Sequence, residues 1–391
     1  MRNWKKMASA ALAAMVFASV MSGCGGEKKQ DAAAGDTIKV GASFELTGNV
    51  ANYGKSILSG FKMAVDEVNA KGGVNGKKIT VVESDNKSEP SEAGNSVTKL
   101  VTQDKVVAVV GPATSGCVAA GAPITTANKI PQIAPSATAP AITVENGKVK
   151  DFMFRACFID PFQGQVMAEF ANKTLQVKNV AILFDSSSDY SKGLAEVFQK
   201  TLESKGGKIV AKEAFLAKDV DFKATLTKIK ASNPDAVYVP GYYEEVSKII
   251  KQAREIGLNV PMLGCDGWES PKLAEIAGAA ALKDCYYVSA FNAQDTDPSV
   301  QAFIKAYKEK YQKDPDIFAM QGYNAGLVLA DALKRAGTTD GTALAKAIAE
   351  TKDLPVASGK LTYDANHNPI MSALIISLDN GTPSLKEKIS L

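Results

Sequence analysis

Short apolar runs with the length of β-strands alternate along the chain with longer amphipathic stretches that are typical of α-helices. The runs cover residues 38–44, 79–82, 106–110, 130–134, 180–184, 209–211, 236–239, 261–263 and 286–288. Strands that alternate with helices form parallel sheets, because each right-handed crossover helix returns the chain to the same end of the sheet. The pattern therefore predicts an α/β fold of doubly wound parallel sheets.

The predicted strands form two groups, one ending near Arg155 and the other beginning near Asn179. Each group is large enough for one doubly wound sheet, and a chain of 391 residues is longer than one hydrophobic core usually serves. The other predicted elements are helices at 53–71, 190–205, 299–311, 318–336 and 342–350, and a final strand pair around 380–381. We therefore expect two lobes, with the late helices packed against the first.

Two turns in the first predicted lobe carry hydroxyl groups directly after apolar runs. One contains Ser115, and the other contains Ser136, Ala137 and Thr138. Both lead toward a helix, whose first turn has unpaired N–H donors and a partial positive charge. Neighbouring strand-to-helix turns of a parallel sheet open on one crevice. The two turns therefore predict a binding site for a small carboxylate.

The N-terminus has the features of an export signal. A basic start at residues 2–6 precedes an apolar stretch that is too short to cross a bilayer as a mature helix. Small residues then precede Cys24, as in a bacterial lipoprotein signal. We predict a lipoprotein signal peptide at 1–23, lipidation of Cys24 and a flexible tether over 24–36. Ordinary secretory cleavage with an incidental cysteine is the alternative.

Charge and motif content exclude several classes of function. The chain has 45 Lys and Arg against 42 Asp and Glu, and loss of the three basic signal residues leaves 42 of each. This neutral balance argues against binding to nucleic acid or anionic lipid. The only histidine, His367, lies in a polar turn, and no zinc spacing or Gly-rich phosphate loop is present. We expect no enzyme activity, no metal and no cofactor.

Several segments, in their order, resemble the leucine/isoleucine/valine-binding proteins of bacterial ABC importers. They are residues 39–48, 53–54, 69–73, 111–116, 135–140, 154–155, Asp160, Gln163, 189–193 and 241–242. The resemblance runs from about Ile38 to near the C-terminus. It implies a bilobed receptor that closes around an amino acid by hinge rotation and delivers it to a membrane permease.

The resemblance also implies that the chain crosses between the lobes three times, near Phe158, Ser289 and Lys360. The predicted lobes are an N-terminal lobe of 37–158 with 290–360 and a C-terminal lobe of 159–289 with 361–391. We expect a monomer that is held at the membrane through Cys24 and that contacts ABC permease subunits.

The family's carboxylate-binding groups fall on Ser115, Ser136 and Thr138, in the two turns already described. Its acidic group for the α-ammonium falls on Asp266, where the branched-chain binders usually have Glu. The shorter Asp implies a closer ligand, a bridging water or a different substrate.

Aromatic contacts of the family fall on Tyr53, Tyr190 and Tyr242. Their faces can cover an aliphatic side chain, and Tyr190 or Tyr242 can also favour an ammonium through the ring quadrupole. We expect a branched-chain or similar apolar amino acid as the ligand. A sensing module that signals to a partner, and a receptor for amides or other small acyl ligands, are the alternatives.

Four cysteines remain after Cys24, an even number in a location that permits disulfides. Pairing within lobes would leave the hinge free, which favours Cys265 with Cys285 and Cys117 with Cys157. An anaerobic host could keep all four reduced.

Overall fold

The computed structural model describes residues 37–389, so the predicted signal peptide, Cys24 and the tether lie outside the described residues. The strands are β1 Thr37–Phe44, β2 Lys78–Asp85, β3 Ala108–Val110, β4 Gln132–Ala134, β5 Val144–Glu145, β6 Lys148–Val149, β7 Met153–Arg155, β8 Asn179–Asp185, β9 Lys208–Phe215, β10 Ala236–Tyr238, β11 Met262–Leu263, β12 Cys285–Ser289, β13 Leu354–Val356, β14 Gly359–Leu361, β15 Ala373–Ser377 and β16 Ser384–Ile389. The helices are α1 Ala51–Ala70, α2 Pro90–Thr102, α3 Ser115–Ala127, α4 Asp160–Glu169, α5 Asp189–Ser204, α6 Lys223–Ala231, α7 Tyr243–Glu255, α8 Pro271–Ala277, α9 Pro298–Tyr311, α10 Ile317–Ala336 and α11 Gly341–Ala349. Among residues 37–389, no helix has the length and apolar character needed to span a membrane.

The first large sheet has the strand order β2-β1-β3-β4-β7, and all its strands are parallel. The strand order reverses between β1 and β3, so the turns after these strands diverge to opposite faces and open a crevice. The turns after β3 and β4 are the two hydroxyl-bearing turns of the sequence.

The second large sheet has the order β16-β15-β12-β11-β10-β8-β9. It is parallel from β9 to β12, while β15 and β16 form an antiparallel pair at one edge. The order reverses between β8 and β10, which again opens a crevice at the carboxyl ends of the strands. The predicted fold of two doubly wound sheets is confirmed, with the final strand pair added to the second sheet.

Helix α10 lies in sequence between β12 and β15 of the second sheet but packs against α1, which flanks the first sheet. The two helix backbones approach closely at glycines: a Cβ added to Gly60 would lie 1.9 Å from the carbonyl oxygen of Ala319. A Cβ on Gly322 would lie 2.1 Å from the carbonyl oxygen of Ile57. Side chains larger than hydrogen would therefore separate the helices. This packing brings the start of α10 to the crevice.

The structure contradicts both predicted disulfides, because all four described cysteines are buried free thiols. Met262 lies opposite Cys285 in the β11–β12 register. Cys265 lies two residues beyond the end of β11, and its thiol contacts the Tyr190 hydroxyl at 2.9 Å. The Cys285 thiol instead contacts the carbonyl oxygens of Ala281 and Lys283, at 3.9 and 3.8 Å. In the other predicted pair, the Cys157 thiol contacts the Ala137 carbonyl oxygen at 3.4 Å, while Cys117 lies in the first turn of α3.

Candidate functional site

A small cavity lies where turns from the two large sheets meet. Its lining residues are Tyr53, Ala113, Thr114, Ser115, Ser136, Thr138, Tyr190, Tyr242, Asp266, Gly267 and Phe318. Every residue predicted from the sequence for ligand binding is in this lining except Ala137, which is fully buried between Ser136 and Thr138. The structure thus brings together residues that are more than 200 positions apart in sequence.

The first side of the cavity is formed by the turn that leads into α3. Thr114 occupies the N-cap position, but no side chain caps this helix within the described chain. Instead, the Thr114 hydroxyl donates to Glu45 Oε1 at 2.9 Å. The fully buried Glu45 carboxylate also accepts the N–H groups of Ala113 at 2.9 Å and Thr114 at 3.0 Å. The first-turn N–H groups of α3 have no intrahelical partner and can donate to an anion.

The turn after β4 completes this side of the cavity and is tied to the first turn. Ser136 Oγ donates to the Ala113 carbonyl oxygen at 2.8 Å, and Ser115 Oγ accepts the Ala139 N–H at 3.2 Å. Thr138 Oγ1 is buried and makes no well-formed hydrogen bond in residues 37–389, although it lies beside the Asp160 carboxyl group and lowers the pKa of that group. Because a buried hydroxyl costs free energy unless it is bonded, Thr138 is suited to donate to a carboxylate in the cavity.

Asp266 forms the polar part of the opposite side and is 3% exposed. Its Oδ1 accepts hydrogen bonds from the Tyr190 hydroxyl at 2.6 Å and from Gln163 Nε2 at 3.1 Å. Both side-chain donors use the same oxygen, Oδ1. Burial raises the pKa of Asp266 to about 6, although the hydrogen bond from Tyr190 opposes this shift.

A second buried carboxylate lies behind Asp266. Gln163 Nε2 also donates to Asp160 Oδ1, at 3.0 Å, so one amide bridges the two acids. The pKa of Asp160 is raised to about 7, mainly by burial; the side chain of Thr138 opposes this shift, and the charge of the neighbouring Asp266 contributes to it. Asp160 and Gln163 are among the residues that carry the family resemblance, but they were not predicted to belong to the site. Two buried acids on one side make that side favourable for a cation.

Aromatic rings cover the remaining walls. Tyr190 and Tyr242 are stacked, with ring centroids 5.1 Å apart and an interplanar angle of 8°. Tyr53 stacks on Phe318 at 4.2 Å and meets Tyr242 edge-on at 5.9 Å. Phe318 comes from the start of α10 and was not predicted, because an apolar residue at the start of an amphipathic helix gives no distinct signal in the sequence.

Contacts between elements of the two sheets enclose the cavity. The Tyr53 hydroxyl on α1 donates to the Gly267 carbonyl oxygen and accepts the Tyr243 N–H at 3.3 Å. At the mouth, which is an adjoining pocket that shares Thr114, Ser115 and Tyr242 with the cavity, Lys218 Nζ lies 2.5 Å from Glu89 Oε1. Both of these side chains are exposed. The cavity is therefore sealed mainly by aromatic contacts and by the hydrogen bonds of one tyrosine.

Comparison with known proteins gives consistent results. The family model for periplasmic binding proteins matches residues 37–382. The chain is 33% identical over 332 residues to the leucine-, isoleucine-, valine-, threonine- and alanine-binding protein of Pseudomonas aeruginosa, covering 85% of this chain and 87% of that one.

Two solved structures extend the similarity to three dimensions. The branched-chain amino acid transporter substrate-binding protein LivJ of Streptococcus pneumoniae, in complex with isoleucine, is 40% identical with a TM-score of 0.85. The leucine-binding protein LivK of Thermotoga maritima is 34% identical, also with a TM-score of 0.85. Both matches cover 90% of this chain and 99% of the other.

Proposed function

The chain belongs to the periplasmic binding protein family, and from that premise we propose that it captures a branched-chain or similar apolar amino acid for an ABC permease. The family binds solutes outside the cytoplasm and is not enzymatic, so the predicted family, the extracytoplasmic location and the absence of catalysis are confirmed. The relatives named above bind branched-chain amino acids, which supports the proposed ligand class.

The observation that carries the proposal is the opposite chemistry of the two sides of the cavity. Ser115 and Thr138 present hydroxyl groups and nearby backbone amides on one side, and Asp266 presents a carboxylate on the other. An α-amino acid has a carboxylate and an ammonium in one small molecule, and hydrogen bonds to such charged groups contribute about 1.5–3 kcal/mol each. Three or four of these bonds support micromolar affinity, which corresponds to about −8 kcal/mol.

We propose that Asp266 Oδ2 accepts the ligand ammonium. The hydrogen bonds from Tyr190 and Gln163 fix the Asp266 side chain at the cavity wall. Because this side chain is already ordered, it loses less conformational entropy when a ligand binds. The stacked Tyr190 and Tyr242 rings lie beside this carboxylate and add a face that favours a cation.

We propose that Tyr53, Phe318 and Ala113 enclose the aliphatic side chain. One methylene in an apolar pocket changes binding by only about 1–3 kcal/mol, so Leu, Ile and Val should all bind. The acidic side of the cavity disfavours acyl ligands that lack an ammonium, because Asp266 would then remain buried without a cationic partner.

Thermal unfolding of refolded, ligand-free protein with each of the twenty amino acids, and with a few amides and short-chain acids, tests this proposal. Binding to the folded state stabilises it by about 2.7 kcal/mol at a hundred times the dissociation constant. We expect a raised Tm with Leu, Ile or Val. A shift only with amides or acids would replace the proposed ligand class, and no shift with any of them would contradict the proposal.

We further propose a lipidated Cys24, a monomer, and the two lobes with the boundaries predicted from the sequence. The separate sheets and the passages of the chain between them after β7, after β12 and before β15 support the lobe assignment. Incorporation of radiolabelled palmitate in the native host tests the anchor. We expect label in the native chain and none in Cys24→Ala; equal labelling of both would contradict the assignment.

A further inference from the structure

We propose that Arg155 is a positioning residue for the carboxylate end of the cavity and acts on the ligand through the Ala137–Thr138 peptide group. The inference rests on the proposed function, because it requires a ligand that has a carboxylate. Arg155 does not line the cavity, and its role is inferred from the groups that it holds.

Arg155 ends β7 and is fully buried. Its guanidinium donates to the carbonyl oxygens of Ala137 and Ala139, both at 2.9 Å, and to Thr143 Oγ1 at 3.2 Å. A longer contact of 3.5 Å joins it to the carbonyl oxygen of Pro140. Every one of these acceptors is uncharged. Within the described part of the chain, the cation is therefore held by one neutral turn, the turn that carries the predicted carboxylate-binding residues.

The geometry of the peptide group connects Arg155 to the cavity. In a planar trans peptide the C=O and N–H groups point in opposite directions. Because the Ala137 carbonyl points at Arg155, the N–H of Thr138 in the same peptide points away from it. Thr138 lines the cavity, so this N–H is placed to donate to a ligand carboxylate. A cation bonded to the carbonyl also polarises the peptide and strengthens its N–H as a donor.

The neighbouring peptide groups fix this orientation. The Thr138 carbonyl oxygen accepts the Asp160 N–H at 3.0 Å, and the next N–H, that of Ala139, donates to Ser115 Oγ at 3.2 Å. The carbonyl oxygen of Arg155 itself accepts the Tyr363 hydroxyl at 2.8 Å. Hydrogen bonds therefore fix the turn after β4 on both sides, and among the groups that make these bonds only Arg155 carries a positive charge.

Burial lowers the pKa of Arg155 from its ordinary value, but a guanidinium remains protonated at neutral pH. No carboxylate is bonded to the Arg155 guanidinium in the described residues, although Asp160 and Asp364 lie near enough to favour its charged form. A ligand carboxylate bound one peptide unit away offsets a further part of the cost of burying this cation. A methionine at this position would fill similar space without the charge or the donors. Lysine would keep the charge, but it cannot bond the two carbonyl oxygens with the planar fork of arginine.

The test compares leucine with leucinamide, which keeps the ammonium and the side chain but has a neutral carboxamide. Titration calorimetry gives the dissociation constants of both ligands for the native chain, Arg155→Lys and Arg155→Met. We expect the native chain to prefer leucine by about 10–100-fold. The preference should fall about tenfold in Arg155→Met and to an intermediate value in Arg155→Lys.

Arg254→Lys is the matched control, because Arg254 also donates to backbone carbonyl oxygens but lies away from the cavity. Its acceptors are the carbonyl oxygens of Leu258, Val260, Ala281 and Lys283, at 2.8–3.2 Å. We expect this variant to keep the native preference for leucine. If Arg155 has a purely structural role, its substitution will weaken the binding of leucine and leucinamide equally and leave the preference unchanged. That result would overturn the inference.

If Arg155→Met does not fold, the Arg155→Lys variant provides the test. A native preference for leucine over leucinamide in that variant also overturns the inference. A measurement on the native chain adds an independent result: the amide ¹H signal of Thr138 should move downfield with leucine and less with leucinamide. Equal shifts would contradict the proposed path through this peptide. Failure of the native chain to bind leucine would refute the proposed function instead, so the two failures are distinguishable.

Discussion

The two polar sides of the cavity are built in different ways. The proposed carboxylate side has hydroxyl groups and backbone amides whose positions are fixed by hydrogen bonds to Glu45 and Arg155 outside the cavity lining. On the proposed ammonium side, Asp266 is the one carboxylate among the described residues that lines the cavity; Tyr190 and Gln163 support it, and the buried Asp160 lies behind it. Binding strength on the first side is therefore spread over several donors that do not titrate near neutral pH. On the second side we expect it to depend mainly on the Asp266 carboxylate.

The largest expected effect is the loss of that carboxylate. Asp266→Ala should weaken amino acid binding by about 3–5 kcal/mol, because the ligand ammonium would be buried without a partner. Titration calorimetry measures this loss. Asp235→Asn is the control, since Asp235 accepts N–H groups at the opposite end of the second sheet and should leave affinity unchanged. Native affinity in Asp266→Ala would remove Asp266 from the site.

A smaller effect is expected on the carboxylate side, where several donors share the ligand. Thr138→Val replaces the hydroxyl group with a methyl group and keeps the shape of the side chain. It should weaken leucine binding by about 1.5–3 kcal/mol. Thr98→Val, which removes a hydroxyl bonded within α2, should have no effect on affinity. If Thr138→Val lowered affinity as much as Asp266→Ala, the proposed difference between the two sides would be wrong.

The two sides should also differ in their response to pH. Asp266 has a pKa of about 6 in the described structure, and only its ionised form attracts an ammonium. As the pH falls below about 6 the carboxyl group becomes protonated, so leucine affinity should decrease by at most about tenfold per pH unit for this one proton. Calorimetry between pH 5 and about pH 8 checks this. Constant affinity across that range would contradict an ionic role for Asp266.

The smallest effect is expected at the mouth of the cavity. Lys218 and Glu89 are exposed, and surface ion pairs contribute little because water screens them. Lys218→Met should change the affinity for leucine by less than about threefold, and the dependence of that affinity on salt concentration should change little. A tenfold loss measured by calorimetry would show that this pair, and not the aromatic contacts, holds the cavity closed.

Much of the fold could be predicted from the sequence because buried parallel strands are continuous apolar runs. Strand β9 was predicted too short, since its second half carries Lys212 and Glu213 at the edge of the sheet. Charged residues are compatible with an edge strand, where one side faces solvent, but they interrupt the apolar pattern.

The site was predictable where a turn follows a strand, and less so where packing of distant elements forms it. Ser115, Thr138 and Asp266 each lie just after a strand, so their position at the crevice follows from the α/β pattern. Phe318 reaches the cavity only because α10 packs on α1 through close glycine contacts. Glu45 was missed because its role depends on a turn almost 70 residues later.

The most direct test of the two-sided site is titration of the native chain with leucine, 4-methylpentanoate and 3-methylbutylamine. The second ligand lacks the ammonium and the third lacks the carboxylate, while both keep the aliphatic group. We predict that leucine binds and that each analogue binds at least about 100-fold more weakly, since each loses the bonds of one side. Binding of either analogue within a few-fold of leucine would contradict recognition of a zwitterion by two opposed polar sides.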